Sequence, residues 1–74
     1  MKQFKVKTLN SVYTLAEDDD TESVKVVSVE GASAGRPDVL KWIKDDPDVL
    51  SPIEVGSPIY MLSWHTSKVV EIIR

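Results

Sequence analysis

Between Ile53 and Ile73 the chain reads IEVGSPIYMLSWHTSKVVEII, two apolar runs around a polar corner, and the rest of the sequence has to fold against them. Gly56 tolerates a positive φ and Pro58 lacks a backbone donor, so the pair marks a loop and starts a strand at Ile59. Ile59, Tyr60, Met61, Leu62 and Trp64 are interrupted only by Ser63, the pattern of a central strand buried on both faces or crossing a barrel. His65, Thr66, Ser67 and Lys68 form the expected polar turn, and Val69, Val70, Ile72 and Ile73 supply a β-branched closing strand. A closing helix is the competing reading, but no capping residue precedes these four.

The amino-terminal end alternates in the same way. Phe4 and Val6 are interleaved with Lys5 and Lys7, and Val12, Tyr13 and Leu15 follow the polar pair Asn10-Ser11. This predicts a β-hairpin over 2–15 with its corner at Asn10, a residue that accepts left-handed backbone and bonds its own neighbourhood. In Val24 to Val29 the apolar phase changes, with Val24 and Val26 flanking Lys25 and then Val27 and Val29 flanking Ser28. A bulge or sharp bend near Val26-Val27 reconciles the two phases.

Residues 17–22, EDDDTE, are expected to form a solvated acidic loop, since neighbouring carboxylates repel. Divalent-cation binding is the functional alternative, but the spacing, inner glycine and closing glutamate of a calcium loop are missing. Residues 31–58 form a Gly/Pro-rich connection. Its opening GASAG suits flexibility or close backbone approach and carries no phosphate-loop fingerprint. A short helix is expected over 37–44, with Pro37 at the first position, Asp38 near the positive end of the dipole, and Val39, Trp42 and Ile43 on one face beside Leu40. Pro-Asp-Val-Leu recurs at 47–50, where Ser51-Pro52 blocks continuation, so it reads as a second helical turn or a coincidence and not as a domain repeat.

The whole chain of 74 residues makes one small domain with little core to spare, which leaves room for homo-oligomerisation. It has no cysteine, so neither disulfides nor thiolate metal sites can staple it. No apolar run reaches membrane-spanning length and no signal-peptide core follows Met1, so the expected location is the cytoplasm. Together these features predict a mainly β (α+β) fold: a small antiparallel, barrel-like sheet of about five strands with one short helix packed over a side or an open end. The first and last strands are expected to be neighbours.

No residues with catalytic, cofactor-binding or metal-ligating spacing emerge. His65 lies near Ser63, Thr66 and Ser67, but strand neighbours point to opposite faces and no acidic orienter or nucleophile elbow accompanies it. The favoured function is therefore non-enzymatic binding of a protein partner. Trp42 and Trp64 are the candidate anchors, Lys41 lies beside them, and Asp45, Asp46 and Asp48 would steer a basic partner. The alternative is a small-barrel nucleic-acid binder using Lys2, Lys5, Lys7 and Lys25 as a basic face, against which the net charge of −3 counts.

Three stretches, Leu9-Asn10-Ser11-Val12-Tyr13, Val55-Gly56-Ser57-Pro58 and Thr66-Ser67-Lys68-Val69-Val70-Glu71-Ile72, resemble a set of small uncharacterised proteins of actinobacterial phages and their hosts. In that set an Asn-Ser-x-Tyr turn opens the chain and a Thr-Ser-x-Val strand closes it around a variable middle. The chain departs most from the set between Gly31 and Ser51, where a basic Pro-Thr-Pro-Arg-like segment is matched only by Arg36-Pro37. The resemblance implies a phage-borne accessory protein in the host cell's cytoplasm and leaves the molecular partner open, a host or defence factor being one candidate for the protein-binding reading.

Overall fold

A computed structural model describes residues 2–74. In chain order they form β1 (Lys2–Thr8), β2 (Ser11–Glu17), β3 (Val24–Gly31), a 3-10 turn (Ala32–Gly35), α1 (Pro37–Asp45), β4 (Pro58–Tyr60) and β5 (His65–Ile73). The five strands make one antiparallel sheet in the order β3-β2-β1-β5-β4, curled into a half-barrel. This is the mainly β, barrel-like architecture that the alternation predicts, and the first and last strands do pair.

Alternation in β1 and β2 decides the inner face. Phe4 sits opposite Leu15 and Val6 opposite Tyr13, and all four are buried together with Val26, Val39, Ile59, Met61, Trp64 and Val69. Register shifts occur in three of the four ladders, β2–β3, β1–β5 and β4–β5. Thr14 pairs with Ser28 but Leu15 with Val26, leaving Val27 as the extra residue, as the phase change predicts. Lys7 pairs with Glu71 and Thr8 with Val69, which leaves Val70 out in the same way.

The β4–β5 region departs from expectation. The apolar run is an edge strand of three residues, and β1 is the central strand. From Ile59 onward side chains alternate: Ile59 and Met61 point inward, Tyr60 and Leu62 outward. The turn is Met61–Trp64, closed by a hydrogen bond from the Met61 N–H to the Trp64 C=O at 2.9 Å, while His65–Lys68 already belong to β5. Burial explains the shift. Thr66 is 5% exposed and its hydroxyl accepts the Ile59 N–H, which ties the start of β5 to β4.

Of the two uses expected of GASAG, close backbone approach is the one found at Gly31. Gly31 has φ +96°, and a Cβ there would stand 3.2 Å from the Asn10 carbonyl oxygen, so the first hairpin corner packs directly on this backbone. The Ala32 N–H donates to the Asn10 C=O and the Ser33 N–H to the Ser11 hydroxyl. The second Pro-Asp-Val-Leu is not helical. Residues 47–50 run extended as a strap: the Val26 N–H donates to the Pro47 C=O and the Val49 N–H to the Val24 C=O, both at 2.8 Å, and the Leu50 N–H donates to the Tyr60 C=O at 2.9 Å. The strap thus joins the two outer strands, β3 and β4, and partly closes the barrel.

Candidate functional site

Trp64 is 7% exposed and belongs to the core. Its indole N–H donates to the Asp46 C=O at 2.8 Å, its ring stacks on Trp42 at 5.7 Å between centroids, and Tyr13 lies tilted at 6.4 Å. Trp42 is half-buried on the inner face of α1, so the pair clamps the helix to the sheet more than it projects into solvent. The Asp46 carboxylate is also occupied, accepting both the N–H and the hydroxyl of Ser63 at 2.8 Å. Of the residues singled out for partner binding, Lys41, Asp45 and Asp48 remain exposed.

Four lysines were the alternative nucleic-acid face, and all four are exposed. Lys5 and Lys7 share the outer face of β1. Register, however, sets Lys2 opposite Glu17, Lys7 opposite Glu71 and Lys25 opposite Asp48. Three of the four therefore have a carboxylate across the ladder, which dilutes the positive field that phosphate neutralisation requires.

The hydroxyls around His65 are engaged elsewhere. Ser63 bonds Asp46, Thr66 accepts from Ile59 and donates to the Ser67 C=O, and Ser67 accepts from the Asn10 side-chain amide. His65 itself lies against Tyr60, with ring centroids 5.8 Å apart. Among the described residues no three His, Cys, Asp or Glu side chains gather as a metal site. The acidic loop is ordered by its own bonds, with the Asp18 N–H donating to the Ser23 C=O and the Asp20 N–H to the Asp18 carboxylate. No described helix is long and apolar enough to cross a membrane.

What the fold does bring together is an outward apolar group that sequence reasoning missed. Leu62 is 81% exposed at the β4–β5 turn, Leu50 61% on the strap and Tyr60 47% on β4. The Leu50–Tyr60 backbone bond fixes strap and hairpin side by side, and Tyr60 and Leu62 share an outward phase. Residues 59–62 are apolar throughout, so nothing in the sequence tells the outward pair Tyr60 and Leu62 from the inward pair Ile59 and Met61. Asp48 lies two residues before Leu50, and the Asp46–Ser63 bond brings the end of α1, with Asp45, up to the turn that carries Leu62.

No protein-family model, no curated protein and no solved structure matches this chain.

Proposed function

We propose that the chain is a non-enzymatic binding module that engages another protein through Leu50, Tyr60 and Leu62, with Asp45 and Asp48 at the rim. The observation that carries this reading is the exposure of three large apolar side chains on two backbone segments bonded to each other. Isolated apolar residues at a surface are ordinary, whereas adjacent ones on rigid backbone are the usual anchors of an interface. The rim carboxylates favour a partner with basic residues around an apolar one. A phage-type accessory protein acting on a host or defence factor is the biological setting that the sequence resemblance suggests.

The test is capture of partners by the tagged chain from an actinobacterial lysate, with and without nuclease, with Leu62→Lys and Tyr60→Ala variants alongside. A stoichiometric protein should be retained by the wild type and lost by more than about tenfold in Leu62→Lys, with unchanged thermal unfolding. Equal retention by the variant would refute this surface, and loss on nuclease treatment would transfer the function to nucleic acid and the lysine face.

A further inference from the structure

We propose that the cleft at the end of the sheet where β1 and β3 begin and β2 and β5 finish receives the guanidinium of an arginine in a partner polypeptide, and that Arg74 occupies it as an internal stand-in. The cleft encloses about 330 Å³, with Phe4 and Ile53 among its apolar walls and Glu17, Glu22 and Ser51 among its polar ones. The Arg74 guanidinium carbon lies 4.7 Å from the centre of the Phe4 ring, well inside cation–π range. Its Nη1 is 4.0 Å from a Glu17 carboxylate oxygen, at the outer limit of an ion pair, and its side chain remains 68% exposed. The aromatic face is thus covered while the carboxylate is barely engaged.

Two further features of the cleft bear on its occupant. The Ser51 hydroxyl oxygen is buried without a hydrogen-bond partner, an uncommon and unfavourable state that an entering donor relieves only if the Ser51 side chain turns towards the cleft. Glu17 and Glu22 both line the cleft with Arg74, while Lys2 stands opposite Glu17 across the ladder. A partner's guanidinium would take the Phe4 face from Arg74 and add the close carboxylate pair that Arg74 makes only at 4.0 Å, being a planar cation that stacks on a ring and carries several N–H donors in a fixed fork. Lysine, a compact and strongly hydrated charge, fits less well.

Leu50 connects this cleft to the surface described above, because it lines the one and belongs to the other. A partner with an apolar residue over Leu50 and Tyr60 would hold a neighbouring arginine beside Phe4. For its partner the inference rests on the protein-binding reading, but its test does not.

That test is a titration of the full chain with N-acetyl-arginine methylamide at low ionic strength, followed by amide-proton chemical shifts, with the citrulline analogue as an uncharged control. Saturable shifts are expected at Phe4, Ser51 and Ile53 with the arginine probe and none with citrulline. Arg74→Ala should bind the probe about threefold more tightly or better, because the competitor is gone, and Glu17→Gln about threefold more weakly. No response at the cleft, an equal response to citrulline, or an Arg74→Ala variant that binds no more tightly would overturn the proposal. Leu62→Lys should leave probe affinity unchanged, so failure of partner capture and failure of the cleft are read separately.

Discussion

The sequence Pro-Asp-Val-Leu occurs twice and takes two backbones. At 37–40 it is the first turn of α1; at 47–50 it is the extended strap between β3 and β4. In the first copy Asp38 accepts the Arg36 guanidinium and the Val39 N–H, and the Leu40 N–H bonds the Arg36 C=O. In the second the N–H groups of Val49 and Leu50 go to other strands. Yet the side chains behave alike: Val39 is buried and Val49 packs against the core, whereas Leu40 and Leu50 face solvent. Four residues specified which side chains go inward, and the available partners chose the backbone. Ser51-Pro52 denies the second copy a helix to continue into, and the edge of β3 offers it bonds.

The largest effect is expected where the two copies share an anchor. Trp64 stacks on Trp42 in the helix begun by the first copy and bonds Asp46, just ahead of the second. Trp64→Ala should cost about 3–5 kcal/mol in urea unfolding; a cost near zero would mean that the copies are not held in common. Proline separates them next. Leu40→Pro should cost about 3 kcal/mol, by removing a helical bond and crowding the preceding turn, and Leu50→Pro about 1 kcal/mol for its single bond to Tyr60. The reverse order would make the strap the stronger of the two.

Lysine at the outward leucines sharpens the contrast in function. Leu40→Lys and Leu50→Lys should each change stability by no more than about 0.5 kcal/mol, while partner capture falls only in Leu50→Lys. The smallest effect concerns Asp38. Its hydrogen bond with the Arg36 guanidinium, aided by the Val39 N–H, holds its carboxyl below the usual carboxylate range. A lowered native value means that the contribution is present above the unfolded value of about 3.9 and is lost as pH falls through the native one. Asp38→Asn should therefore match the wild type in strong acid and be slightly less stable at neutral pH, by parallel thermal melts; a difference that widened in acid would contradict this.

The hairpin over 2–15, the bulge at Val27 and the helix from Pro37 were legible because each depends on local alternation or on a residue with fixed backbone preference. The strap was not, because its bonds reach β3 and β4, which lie far off in sequence. The β4–β5 turn was misplaced for a related reason: Thr66 and Ser67 look like turn residues until Ile59 and Asn10 are found bonded to their hydroxyls. The stretches that carried the resemblance prove to be joined to one another in space, with Asn10 bonded to Ser67 and the Gly56-Ser57 backbone to Val69. These bonds tie the first hairpin corner and the Gly56 loop to β5.

Everything proposed for Leu50, Tyr60 and Leu62 depends on the strap being a fixed part of the barrel wall. Native-state hydrogen exchange at the Val49 and Leu50 amides tests this most directly. If the strap closes the sheet, both should be protected nearly as well as the amides of β1. Exchange as fast as that of Asp19 and Thr21 in the acidic loop would show an open strap, and the surface built on it would not exist as a unit.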